Sequence, residues 1–291
     1  MPNEFEVGKA EALLEALPFI QKFRGQTFVI KYGGSAMEDD HLIERLLRDV
    51  VFLEAVGINP VLVHGGGKAI TQRMREAGKA PRFVNGLRVT DQLTIKIVEE
   101  VLDTVIRPRI VGTVHEFGGR AEGFSGRDVF KAKRLPPQID GKNLIDIGFV
   151  GEVTSLELSG VGEAIDREVV PVISPIAQAE DGTILNVNAD VAAGAMAGAL
   201  KAAKMIYVSD VMGVMRDVKD VNSLIPTVNR ENVAELIEDE IIEGGMIPKV
   251  LSAVDALNEG VGKVHLIDGR IPHALLLEVF TARGIGTEIV P

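Results

Sequence analysis

The chain reads as an α/β protein built on a mostly parallel sheet, and three observations predict it. From Thr27 onward, short β-branched runs alternate with longer segments of helical period, the pattern of successive βα units. Two of those runs end directly in glycines that are followed by a helix. The 291 residues are 46% hydrophobic and 25% charged, which supports one large core or two modest ones and excludes disorder or a collagen-like repeat. With no cysteine, the chain has no disulfide, thiolate zinc site, iron–sulfur cluster or cysteine nucleophile.

Taken in order, residues 9–23 place Leu13, Leu14, Leu17, Ile20 and Phe23 at helical spacing before the first strand, and Pro18 predicts a kink. Such a helix packs on its own domain or serves assembly. Strands are expected at residues 27–31, 60–64, 169–174, 204–209 and 263–268. Asp39 is placed to cap a helix whose Leu42, Ile43, Leu46, Leu47, Val50 and Leu53 face the sheet, with Glu44, Arg45, Arg48 and Asp49 on the wet side. Between about 120 and 154, short alternating runs at 129–133 and 144–147 suggest antiparallel hairpins beside the main sheet. Residues 191–200 form an apolar helix ending at Lys201.

The N-terminus is acidic and lacks a signal-peptide pattern, and no apolar run reaches the ~18 residues that cross a bilayer, so a cytoplasmic protein is expected. A net charge of −11 with no basic patch argues against nucleic acid or anionic membranes as partners.

The chemistry concentrates at the glycine turns. Residues 29–35 read Val-Ile-Lys-Tyr-Gly-Gly-Ser and residues 62–68 read Leu-Val-His-Gly-Gly-Gly-Lys. A lone Gly-Gly is ordinarily a tight turn, but two such turns one βαβ unit apart present backbone N–H groups and a helix N-terminus to one phosphate. This is neither a P-loop, since Ala69 follows Gly67-Lys68, nor a dinucleotide fingerprint, since Ile70 stands where the third glycine belongs. The serine-hydrolase elbow and the zincin motif are absent, and the five histidines have no metal-ligand spacing. Three further clusters stand out. In residues 86–90, Arg88 beside Gly86 suits a carboxylate. Asn186, Asn188 and Asp190 precede the apolar helix, where Asp190 serves either as a cap or in chemistry. Residues 244–249 form a glycine turn delivering Lys249.

Together, in this order, residues 30–34, 64–67, 85–90, 186–190 and 244–249 resemble the amino acid kinase family, and the likeness runs from about Lys9 to Ile289. The resemblance implies a three-layer α-β-α sandwich with an N-terminal assembly helix. Its divisions would be an assembly helix at 1–24, a lobe binding N-acetyl-L-glutamate at 25–200, and a lobe binding ATP and arginine at 201–291. The implied reaction moves the ATP γ-phosphoryl to the side-chain carboxylate of N-acetyl-L-glutamate, the second step of arginine biosynthesis. Lys31 and Lys249 would neutralise the phosphoryl, with Asp190 holding both. Gly33, Gly34, Gly65 and Gly66 would donate to phosphate. Arg88, Asn186 and Asn188, with Gly65 and Gly66, would bind substrate. The nucleotide would meet Ser209, Asp210, Met212, Gly213 and Lys249. Mg²⁺ would arrive on ATP without a protein ligand. A carboxylate of pKa ~4.3 is already ionised at neutral pH, so this chemistry needs no catalytic base.

The N-terminal helix and residues 273–287 resemble the arginine-inhibited branch, implying a hexamer built as a trimer of dimers. Lys204, His265, Glu278 and Gly284 would line the arginine site, with Phe19 where that branch carries tyrosine. Still open on this reading are N-acetyl-aminoadipate or another acceptor of the family, a catalytically silent arginine sensor, and a signalling partner of the PII type.

Overall fold

The computed structural model describes residues 4–33 and 39–291. The chain opens with α1 (Glu4–Phe23), a single helix that continues through Pro18, and enters β1 (Thr27–Tyr32), α2 (Asp40–Ala55), β2 (Asn59–His64) and α3 (Gly67–Glu76). A short hairpin, β3 (Phe83–Val84) and β4 (Leu87–Arg88), precedes α4 (Gln92–Glu99), a π-helical stretch (Glu100–Ile106) and α5 (Arg107–Glu116). Then come β5 (Ala121–Phe124), α6 (Gly126–Val129), β6 (Phe130–Arg134), the hairpin β7 (Gln138–Asp140) and β8 (Asn143–Ile145), β9 (Gly151–Leu156) and α7 (Ser159–Asp166). The remainder is β10 (Val170–Ile173), β11 (Ile176–Gln178), β12 (Ile184–Asn186), α8 (Ala189–Ala199), β13 (Lys204–Ser209), β14 (Thr227–Asn229), α9 (Val233–Glu238), α10 (Met246–Asn258), β15 (Lys263–Asp268), α11 (Ala274–Phe280) and β16 (Thr287–Val290).

Eight strands make the main sheet in the order β14-β16-β15-β13-β1-β2-β10-β5, and every pairing is parallel except β15 with β16. Strand alternation divides the core. Phe28, Ile30 and Tyr32 of β1 pack with α2, α4, α5 and α11 on one face, while Val29 packs with α8 and α10 on the other. The result is the expected three-layer α/β/α sandwich. Among the described residues no helix is long and apolar enough to cross a membrane.

The five expected strands form the centre of this sheet. The three strands not anticipated, β5, β14 and β16, lie at or near its edges and are only three or four residues long. β5 falls in the stretch expected to form the antiparallel insertion but pairs parallel with β10, because a segment reading Ala-Glu-Gly-Phe carries no alternation to place it. The insertion itself is a second sheet, β12-β11-β6-β9, in which β6 and β9 are antiparallel, and Val129 belongs to α6 rather than to a strand.

Asp49 also departs from expectation: it is 1% exposed, not on the wet face of α2. Its carboxylate lies 2.7 Å from His273 Nδ1 and accepts from the backbone N–H groups of Leu275 and Leu276, so it caps α11 from α2.

Two hairpins flank the C-terminal edge of the sheet. Asn85 and Gly86 both have positive φ (50° and 77°), as a two-residue turn matched to strand twist requires, and so Arg88 follows directly on β4. Asn85 Nδ2 donates to the Ile139 carbonyl at 3.2 Å, tying this hairpin to β7. β1, β2 and β13 run parallel side by side, so Lys31, His64 and Ser209 emerge at one edge, the position where open α/β sheets take ligands.

His64 ends β2 fully buried, and burial pushes its imidazole down to about 4. The unfolded chain therefore binds a proton below its ordinary value while the fold does not, so stability drains as pH falls from about 6.5 towards 4. Chemical denaturation at about pH 7 and 4.5 is expected to show wild type losing about 2 kcal/mol more than His64→Leu over that interval. Parallel losses in the two proteins would rule out His64 as the titrating group.

Candidate active site

Period-two alternation along β1 turns Lys31 to the same face as Val29, toward α8 and α10. Its ammonium reaches Asp190 Oδ1 at 2.9 Å, and Lys249, in the first turn of α10, reaches Asp190 Oδ2 at 2.8 Å. Burial alone would raise the Asp190 carboxyl, but the two ammonium groups outweigh it and hold the group at about 2. Burial lowers Lys249, against the pull of Asp190. Asp190 is not the cap of α8. Asn188 is, accepting from the N–H groups of Asp190 and Val191 at 2.8 and 3.3 Å, which frees the Asp190 carboxylate for the lysines. The Asp190 carbonyl is held in turn by Ser252 Oγ at 3.1 Å and Tyr207 Oη at 3.3 Å.

The two glycine turns meet beside this triad. A Cβ on Gly33 would lie 2.7 Å from Lys31 Nζ and 3.6 Å from Gly65 Cα. Gly34 falls outside the described residues. Gly65 N–H is already given to the Tyr32 carbonyl at 2.6 Å, so Gly65 shapes the turn rather than offering a donor. Gly66 and Gly67 come before the first N–H bonded within α3, Ile70 to the Gly66 carbonyl at 2.9 Å, so the helix supplies no acceptor for their own N–H groups, which a ligand can take.

A cleft of about 240 Å³ joins these groups to the substrate candidates, with Lys31, Gly66, Arg88, Asn186, Asn188 and Asp190 in its lining. Arg88 stacks on Phe83 at 4.6 Å and donates through Nη2 to the Gly67 carbonyl (2.7 Å) and Thr71 Oγ1 (2.9 Å). Asn186 Nδ2 donates to Thr90 Oγ1 at 3.3 Å, and Thr90 donates to the Arg88 carbonyl at 2.7 Å. Gly148 makes this possible: its φ is 76° and a Cβ there would stand 2.1 Å from the Thr90 carbonyl oxygen. Sequence reading gave no role to Thr71, Thr90, Tyr207 or Ser252. Thr90 lay within a quoted motif; the other three carry no local signal, because their partners come from 17 to 62 residues away.

The nucleotide candidates are less gathered. Ser209 is buried at the end of β13 beside Asp268, Asp210 is exposed and acts electrostatically on Lys249, Met212 is half-buried, and Gly213 packs against Thr287 of β16. Among the described residues no three His, Asp or Glu side chains cluster as metal ligands, and both oxygens of Asp190 are taken by lysines.

A second cavity, about 280 Å³, contains all four arginine-site candidates, closed by Phe19 and Phe23 of α1. Lys204 Nζ donates to His265 Nε2 at 2.8 Å, so His265 Nδ1–H donates to Glu278 Oε1 at 2.6 Å. Glu278 also accepts from the N–H groups of Ile285 and Gly286. Burial would raise its carboxyl, but these bonds hold it below the usual range. Burial brings Lys204 down to about 8. Gly284, with φ 64°, admits Glu278, whose carboxylate would sit 2.6 Å from a Cβ there.

The amino acid kinase family model matches residues 26–268, a stretch that carries every residue of the cleft. The acetylglutamate kinase of Akkermansia muciniphila is 50% identical over 286 residues, covering 98% of this chain and 96% of its own. That of Methanocaldococcus jannaschii is 49% identical over 289 residues, with 97% and 96% covered. Among solved structures, N-acetylglutamate synthase from Neisseria gonorrhoeae, complexed with coenzyme A and N-acetyl-glutamate, has a TM-score of 0.84 and 25% identity over 97% of this chain, which spans 63% of the synthase. Carbamate kinase from Giardia lamblia bound to AMP-PNP has a TM-score of 0.67 at 16% identity, covering 91% of this chain and 98% of its own, a likeness of fold alone. Matched across nearly its whole length, the chain belongs to the amino acid kinase family.

Proposed function

We propose that the chain transfers the γ-phosphoryl of ATP to the side-chain carboxylate of N-acetyl-L-glutamate, as a cytoplasmic step of arginine biosynthesis. The observation that carries this reading is one cleft lined by Lys31 and Asp190 together with Arg88 and Asn186, with Asp190 also holding the ammonium group of Lys249. Arg88, already braced by Gly67 and Thr71, receives the substrate α-carboxylate, and Asn186 and Asn188 receive its acetamido group. The side-chain carboxylate then points at the lysines. It attacks as an anion, so no base is required.

Lys31 and Lys249 face the equatorial oxygens of the transferring group, where a unit charge pair at about 4 Å is worth ~4 kcal/mol at an effective dielectric of about 20. Gly33 and Gly66 add backbone donors. The nucleotide lies along the 201–291 lobe near Ser209, Asp210 and Met212, with the acetylated substrate on the 25–200 lobe. Mg²⁺, carried by ATP, neutralises phosphate charge when bound.

The second cavity accepts L-arginine as a feedback inhibitor. Glu278 and Glu288 suit its guanidinium, and Lys204 suits its carboxylate. α1 leaves Leu13 and Leu14 exposed (63% and 67%), an apolar face through which dimers assemble into a hexamer.

Acyl phosphate trapped as hydroxamate tests the reaction, with N-acetylglutamate, N-acetyl-aminoadipate, glutamate and aspartate offered in parallel. N-acetylglutamate is expected to lead by about tenfold or more over its one-methylene homologue; equal rates with all four would refute the substrate assignment. Lys31→Ala and Lys249→Ala are each expected to lower kcat by about 10²–10³, and a near-normal rate removes that lysine from the mechanism. Asp190→Asn leaves two buried ammonium groups without a counter-charge, so a loss of about 3–5 kcal/mol in stability is expected along with the fall in kcat. A modest stability change with normal turnover would reduce Asp190 to a structural residue. Millimolar arginine is expected to slow turnover and raise Tm in wild type and to do neither in Glu278→Gln; no shift in wild type defeats the inhibitor proposal.

A further inference from the structure

His64 stands directly before the glycine turn and touches no expected ligand, yet it is fully buried at the end of β2. Its Nδ1 lies 3.0 Å from the Gly65 carbonyl oxygen. A carbonyl only accepts, so Nδ1 carries the proton and Nε2 is left as a bare acceptor, without a partner among the described residues. Burial disfavours the imidazolium, which keeps this single neutral form in place at physiological pH.

The bond fixes a peptide plane. No peptide bond is cis among the described residues, so the Gly65 carbonyl and the Gly66 N–H point in opposite directions. With the carbonyl drawn inward onto His64, the Gly66 N–H is turned outward to the cleft shared with Lys31. The other side of the turn is walled: a Cβ on Gly66 would meet Leu102 Cδ2 at 2.5 Å and Ile106 Cδ1 at 2.8 Å. Glycines alone would let this peptide rotate.

We propose that His64 is a positioning residue for phosphoryl transfer, its Nδ1–H holding the Gly65 carbonyl so that the Gly66 N–H stays aimed at the transferring group. The inference rests on the reading that this cleft holds the phosphoryl. The donor is thereby oriented before substrate arrives, the condition under which such donors lower a barrier most.

Three substitutions test it. Asn places an amide nitrogen close to where Nδ1 stands, Gln places one near Nε2, and Leu fills the space without a donor. His64→Leu and His64→Gln are expected to lower kcat about tenfold to a hundredfold with little change in either KM, and His64→Asn to recover most of the rate. Wild-type kcat in folded His64→Leu, or an Asn variant no better than Leu at equal Tm, overturns the proposal. Should the variants not fold, the imidazole ¹⁵N shifts of wild type decide: the Nδ1–H tautomer is expected, and the Nε2–H tautomer overturns it. A wild-type chain that phosphorylates none of the acceptors would instead sink the kinase reading, a result distinct from failure of His64 alone.

Discussion

Two ammonium groups do not share a buried pocket unless an anion holds them there, and in this fold Asp190 is that anion. It bridges Lys31 and Lys249 at 2.9 and 2.8 Å, drawing together β1, α8 and α10, three elements that the sequence separates widely. The triad ties the first turn of α10 to the α8 N-terminus and to β1 beside the cleft. It also resolves an electrostatic conflict: burial pushes Lys249 toward neutrality, and the carboxylate counters that push. On the proposed reading, a phosphoryl group entering beside the pair finds cations whose desolvation has already been offset in folding, so little reorganisation is left for the reaction itself.

The same sheet keeps the two cavities apart. The cleft lies at the C-terminal ends of the parallel strands, whereas Lys204 begins β13 and faces the cavity under α1 and α11. The six residues of β13 span about 17 Å between Lys204 and Ser209. A ligand in the second cavity therefore has no direct contact with the cleft. Packed connections between them include α11, which Asp49 and His273 pin to α2 and which supplies Glu278, and the register of β13 against β1 and β15. These are packed elements rather than loops, and such elements shift as bodies.

How much of this was legible in the sequence follows from where each signal lies. The central strands announced themselves because both faces are covered, giving unbroken runs such as residues 204–209. The edge strand β14, a half-exposed Thr-Val-Asn, has no such signature. The glycine turns, Arg88 and the two lysines were visible as local motifs. Their supports were not: the bracing of Arg88 by Thr71 and of Asp190 by Ser252 exists only after the fold brings α3 within reach of Arg88 and packs α8 beside α10. Asp49 misled for a related reason. Its charge assigned it to the wet face although helical spacing sets it beside Leu46 and Leu53, and a helix arriving more than two hundred residues later turns that position into a cap.

Substrate length is where this rigidity matters most. On the proposed reading, the acetylated amino acid spans from Arg88 to the lysine pair, and its carbon count must match that distance. Arg88 has little freedom to adapt, since Phe83 covers its plane and Gly67 and Thr71 take one nitrogen. At the other end, Asp190 denies the lysines the same freedom. A longer acceptor would have to buckle or displace one of these ends. Because Arg88 is held by hydrogen bonds as well as by Phe83, and the lysines by their ion pairs with Asp190, discrimination can exceed what one methylene is worth in a compliant hydrophobic pocket, roughly 1–3 kcal/mol. Selectivity then resides in the braces, Thr71, Gly67 and Thr90, as much as in the residues that touch the substrate.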